Sequence, residues 1–197
     1  MNYLGHISLT FPATSITLGN LTADLLSLKQ IDAVDQDIKA GVVFHRKLDA
    51  FCDAHESYKT MLPIFKPAVG RYAPVALDII LDYFLAKNWS HFYTIPYEIF
   101  SDLVYKMLKQ NASKLPDSIQ LFILKIVEDR WLRRYSNLDE MKFVLDRMNR
   151  KAKFDVDFTK TIPEIILHSE FLNEEFIKLF EAIVKEKENW LNPQNGN

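Results

Sequence analysis

Cysteine is nearly missing from the 197-residue sequence: Cys52 stands alone, so no internal disulfide can form, in keeping with a reducing compartment. Glycine is scarce as well. Five glycines leave few positions for the tight turns of an all-β fold. No apolar run approaches the ~20 residues needed to cross a bilayer. The opening Met1-Asn2-Tyr3-Leu4-Gly5-His6 has no basic region followed by an apolar segment. An excess of one charge is also lacking. The formal net charge of -2 argues against a general nucleic-acid binder. A soluble, cytoplasmic protein with no nucleic-acid or membrane partner is therefore expected.

What the chain does have is 48% hydrophobic and 13% aromatic content, enough for one globular domain over residues 1–191 with a substantial core. The final 192–197, Asn-Pro-Gln-Asn-Gly-Asn, reads as a loose tail. Leu, Ile, Lys, Glu and Ala recur at helical spacing, which predicts an all-α, single-domain multi-helix bundle. Helices are expected over 15–26, 35–53, 55–65, 74–85, 96–110, 116–135, 138–150 and 164–189. Pro63 and Pro67 are expected to close the third of these.

The helix over 74–85 organises the rest. It opens on Pro74, contains no glycine and is apolar on every face, as a helix at the centre of a bundle must be. Its only charges, Asp78 and Asp82, lie one turn apart on one stripe. Two carboxylates directed into a core must share a proton, pair with a cationic side chain or hold a cation. A structural ion pair and a functional site are both open on this feature alone.

A second stripe narrows the choice. On the helix over 35–53, Gly41, His45, Asp49 and Asp53 recur every four residues, so a small residue and three potential ligands share one side. Asp24 and Asn20 lie one turn apart on the preceding helix, and His6 sits in an apolar setting near the start. Gly19 and Asn20 are poor interior helix formers, which points to close backbone approach, a polar task or a frayed turn. Carboxylates outnumber histidines and no thiol cluster exists, a mix that suits manganese or magnesium better than structural zinc. Arg46, about 100° round the helix from His45, is placed to border the same pocket or to lie on the surface. Cys52 with His55 reads as a small core residue beside a polar one rather than as a nucleophile and base.

One segment departs from the neutral total. Between Met141 and Phe154, Lys142, Arg147, Arg150, Lys151 and Lys153 are opposed only by Asp146. Such a run is either a solvated helix end or a dock for an acidic partner.

Taken in order, several pieces form a pattern: Met1-Asn2-x-Leu4-x-His6, Gly19-Asn20-Leu21-x-Ala23-Asp24, Gly41 with His45-Arg46-x-Leu48-Asp49 and Asp53, Leu77-Asp78 with Asp82-x-Phe84-Leu85 and Trp89, and Trp131-Leu132-x-Arg134-Tyr135. With these the chain resembles the bacterial acyl carrier protein phosphodiesterases. The likeness covers most of its length; beyond about Arg150 it extends only to length and helical character. The resemblance implies an all-α fold distantly similar to HD-type phosphohydrolases and a manganese-dependent site, with magnesium the second choice. It implies hydrolysis of the phosphodiester that joins 4'-phosphopantetheine to a serine of the carrier protein. No His-Asp dipeptide occurs in the sequence, so His45 and Asp49, one turn apart, are expected to take its place. The metal ligands expected on this basis are His6, Asp24, His45, Asp49 and Asp82. Asp78 and Asp53 are expected as additional ligands or in acid–base or orienting roles, and Arg46 on the phosphoryl oxygens. The acidic carrier protein is the expected partner, met by a basic rim of Arg147, Arg150 and Lys151. A phosphohydrolase of small phosphoesters and a non-catalytic helical module for an acidic partner are the alternatives.

Overall fold

The computed structural model describes residues 1–191; the expected tail, 192–197, lies outside them. The chain runs through α1 (Tyr3–Thr10), α2 (Thr14–Thr22), α3 (Leu28–Ala33), α4 (Gln36–Ala54), α5 (Glu56–Val69), α6 (Ala73–Lys87), α7 (Trp89–Phe92), α8 (Tyr97–Asn111), α9 (Asp117–Glu128), α10 (Leu138–Lys151), α11 (Ile162–Leu167) and α12 (Ser169–Leu191). Short 3₁₀ turns follow α2 at Ala23–Leu25 and α9 at Trp131–Tyr135. No strand occurs among the described residues, and no helix is long and apolar enough to cross a membrane. The protein is all-α.

The apolar helix is the centre of the bundle, as expected. Pro74 sits in the first turn of α6, and Ala76, Leu77, Ile79, Ile80, Leu81, Phe84 and Leu85 are all buried. Helices α1, α5, α10 and α12 pack around it. Each large side chain so enclosed contributes roughly 1.5–3 kcal/mol of burial.

Several expected boundaries are corrected. Helix α5 does not stop at its prolines but runs through both to Val69. Pro63 and Pro67 lie four apart on the exposed face, where carbonyls deprived of a partner meet water, while Tyr58, Met61, Phe65 and Val69 form the buried stripe. The helix expected over 116–135 breaks at Arg130, which takes a left-handed conformation at φ 51°. Continuing the Ile119, Ile123 and Ile126 stripe by one turn would carry Arg130 inward, and the break instead buries Trp131, Leu132 and Tyr135. The last expected helix begins earlier, at Ile162, and is divided at His168 into α11 and α12. Helices α1, α3 and α7 lie outside the expected helices.

Helices α2 and α4 cross backbone to backbone. A Cβ on Gly19 would lie 1.9 Å from the carbonyl oxygen of Ile38, and one on Gly41 would lie 2.1 Å from that of Ile16 and 2.8 Å from the amide nitrogen of Asn20. Only hydrogen fits at either position. Of the three sequence readings of Gly19 and Asn20, close approach is what the glycine provides.

Candidate metal centre

Three elements carry the candidate ligands. His6 stands on α1, Asp24 in the 3₁₀ turn after α2, and His45 and Asp49 one turn apart on α4. The imidazoles of His6 and His45 stack with centroids 4.2 Å apart. Nε2 of His6 lies 3.3 Å from Asp49 Oδ1, and Nε2 of His45 lies 3.0 Å from Asp49 Oδ2 and 3.3 Å from Asp24 Oδ1. Ligand atoms of His6, His45 and Asp49 all fall within 4.8 Å of one another. This trio can hold a metal ion.

Asn20 orients both rings, and it is the polar task the sequence left open. Its side-chain nitrogen donates to the His6 carbonyl at 2.7 Å and to Thr10 Oγ1 at 3.3 Å, which turns its Oδ1 to Nδ1 of His6 at 2.7 Å. Its backbone carbonyl, in the last turn of α2 where carbonyls lack a partner four residues on, accepts from Nδ1 of His45 at 2.8 Å. With both Nδ1–H groups so engaged, both Nε2 atoms face the cluster. This is the outer-shell anchoring that metal-ligating histidines require. The Gly19–Gly41 crossing is what brings the Asn20 carbonyl within reach of α4.

The fit to a cation can be judged from what these atoms lack. Nε2 of His45 and Oδ1 of Asp49 are buried without a hydrogen bond, the carboxylate contacts of the ring being out of line for one. Nε2 of His6, unprotonated in the neutral ring, faces the Met1 carbonyl at 3.0 Å as well as Asp49. Carboxylate oxygens and the unprotonated Nε2 of His6 converge here, an arrangement that favours a positive charge at its centre, whether the proton of His45 or a metal ion in its place. The donor set, two imidazoles and one or two carboxylates, fits a divalent first-row metal.

Protonation follows the same geometry. Burial disfavours the imidazolium of His45, but its contacts with Asp24 and Asp49 outweigh this and raise its pKa to about 9. Burial likewise opposes ionisation of Asp49, yet His45, His6 and the Met1 ammonium hold its carboxyl well below the usual range. Burial lowers the pKa of His6, so this ring is neutral. Contact with His45 lowers that of Asp24, whose side chain is 86% exposed at the rim.

The other expected site residues are placed differently. Asp78 lines the same cavity, with its Oδ1 3.0 Å from the Met1 ammonium and 3.2 Å from the Tyr58 hydroxyl. Asp82 is fully buried away from the trio, and its two oxygens accept the backbone N–H groups of Leu4 at 2.7 Å and Gly5 at 3.0 Å. Those donors belong to the first turn of α1, so Asp82 acts as a remote cap for the helix that carries His6. Burial raises its pKa to about 7 against the effect of these bonds. Asp53, on the Asp49 side of α4, is exposed, and burial and the neighbouring Asp78 raise its pKa. Arg46 is exposed and does not line the cavity. Cys52 is buried in the core, and burial pushes its thiol up to about 12.

Fold and cluster together define an all-helical protein whose histidine–carboxylate centre can hold a metal ion. The family model described as acyl carrier protein phosphodiesterase matches residues 1–183. A relative so named from Pectobacterium atrosepticum is 31% identical over 150 residues, covering 76% of this chain and 78% of its own. One from Enterobacter sp. (strain 638) is 28% identical over 193 residues, 96% of this chain and 98% of its own, and one from Shigella boydii serotype 18 is 31% identical over 159 residues, 79% and 81%. No solved structure matches, and the expected HD-type likeness gains nothing from that comparison. The chain belongs to the acyl carrier protein phosphodiesterase family and is a hydrolase.

Proposed function

We propose that this enzyme hydrolyses the phosphodiester of holo-acyl carrier protein, releasing 4'-phosphopantetheine and apo carrier protein, with manganese as its preferred ion and magnesium as a substitute. The observation that carries the reading is the convergence of His6, His45 and Asp49, each imidazole tied through Nδ1 to Asn20, in a chain that matches the family from its first residue to 183. A divalent cation supplies charge neutralisation at a phosphoryl oxygen and a lowered pKa for water.

In this reading His6, His45 and Asp49 would hold the ion, with Asp24 beside His45 at the exposed rim as a further ligand. Asn20 keeps both Nε2 atoms directed inward, so the ligands need little rearrangement. Tyr3 and Ile79 wall the cavity beside Asp78 and limit water around the reacting group. Asp78, on the wall of that cavity and accepting from the Met1 ammonium and the Tyr58 hydroxyl, has an orienting role beside the reacting group. Asp82 has a positioning role, holding α1 and thereby His6. The buried lone Cys52 accords with work in the cytoplasm.

Intact-mass spectrometry of holo-acyl carrier protein incubated with the enzyme tests the proposal. Loss of the phosphopantetheine mass with manganese, abolished by chelator, is expected. An unchanged mass with folded, manganese-supplied enzyme would refute it.

A further inference from the structure

Beside the metal centre, α9 and α10 diverge around an open apolar groove of about 590 Å³. Helix α9 turns Ile119, Ile123 and Ile126 to the core, yet it carries a second apolar stripe outward: Leu121 is 72% and Leu124 41% exposed. Neither leucine is needed to pack the bundle, and with Phe122 and Trp131 they floor the groove.

The bank formed by α10 is cationic, and its cations are of two kinds. Arg147 is committed to Asp129, and Lys125 on the opposite bank to Glu128 and Asp129. Arg150 and Lys151 have no carboxylate partner among the described residues. The Lys151 ammonium lies over the rings of Phe122 and Trp131, at 5.2 and 5.7 Å from their centroids. An apolar floor with uncompensated charge along one bank calls for an occupant that is apolar on one face and acidic beside it. Glu128 also lines the groove, so the positive charge is a stripe rather than a basic face, which disfavours an anionic membrane.

The groove and the metal centre share a wall. Tyr3 packs on Phe122 and Trp131, each at 5.6 Å between centroids, and also lines the cavity of His6, Asp24 and His45. Met148, one turn before Lys151 on α10, lines that cavity too.

We propose that this groove docks an acidic amphipathic helix of the carrier-protein substrate. Its apolar side chains cover Leu121 and Leu124, its carboxylates meet Arg150 and Lys151, and the attached phosphodiester passes Tyr3 to the metal centre. The assignment rests on the function proposed above, and two substrates separate them. Leu121→Asp combined with Arg150→Glu alters only exposed groove positions and should leave the fold intact. With manganese, the variant's KM for holo-carrier protein should rise ~10-fold or more. Its kcat and its turnover of bis(p-nitrophenyl) phosphate should stay within about twofold of wild type. Fluorescence anisotropy with apo-carrier protein, which has no arm to cleave, reads docking apart from chemistry, and the variant should lose that binding. Unchanged KM and unchanged anisotropy would overturn the groove assignment while leaving the reaction in place. Wild-type enzyme that binds apo-carrier through the groove but never cleaves the holo form would overturn the reaction and leave the groove. Groove-dependent sedimentation with phosphatidylglycerol vesicles, without carrier binding, would overturn the assignment in favour of a membrane.

Discussion

Gly41→Ala offers the sharpest test of how the site is built, because two physical effects give it opposite signs. By helix propensity the substitution would stabilise α4 by about 1 kcal/mol. By geometry, the new methyl would meet the Ile16 carbonyl oxygen at 2.1 Å and the Asn20 amide nitrogen at 2.8 Å, both of them backbone. Restoring an ordinary contact of about 3.4 Å requires α2 and α4 to separate by about 1.3 Å. That separation takes the bond from His45 Nδ1 to the Asn20 carbonyl from 2.8 Å to beyond hydrogen-bonding range. Overpacking costs about 1–3 kcal/mol and the lost buried bond about 1–3 more. The net expectation is a loss of roughly 1–5 kcal/mol, or about 2–20 °C in Tm for a chain of this size. Metal affinity should fall ~10–100-fold, because His45 loses the partner that fixes its ring. Thermal unfolding and isothermal titration with manganese measure the two effects. A variant as stable as wild type, with unaltered affinity, would refute the claim that the glycine crossing sets the metal centre.

Other substitutions grade the ligands. Asp49→Asn, which removes the carboxylate shared by both imidazoles, should reduce metal-dependent turnover by ~100-fold or more, whereas Asp24→Asn at the exposed rim should cost only several-fold; kcat/KM on holo-carrier protein orders them. The metal-free protein should also lose stability with rising pH in two windows. Asp82, ionising at about 7 when folded against its ordinary 3.8, contributes most below the lower value and loses that contribution as pH rises to about 7. His45, raised from 6.5 to about 9, contributes below 6.5 and loses its contribution as pH rises to about 9. Urea unfolding across pH should show Asp82→Asn flattening the first slope and His45→Gln the second; slopes indifferent to both substitutions would discount the two assignments.

Much of the site was legible because its ligands obey helical spacing. Gly41, His45 and Asp49 lie on one stripe of α4, and the sequence alone places them together. Helix α6 was equally plain, since a long apolar stretch opened by proline has few alternatives. The fate of Asp82 was not legible. A buried carboxylate must find a counterpart, but this one finds backbone N–H groups more than seventy residues away, and such donors belong to every residue alike. Helix α1 was illegible for the same reason: its eight residues lack a local cap, and its N-terminal donors are satisfied from α6. Asn20 was visible as an oddity within a helix, yet its double engagement depends on α1 and α4 both reaching it. The prolines of α5 show the converse, a strong local signal overridden because both fall on the wet face.

The placement of His6 on α1 ties metal occupancy to local unfolding. A helix of eight residues has no independent stability in water, so α1 is ordered only while docked on Asp82 and Asn20. An ion bound by His6 favours the docked state and must slow every opening that frees the helix. The amides of Leu4 and Gly5, held by Asp82, would then exchange with solvent more slowly as metal is added, although neither residue offers the metal a ligand.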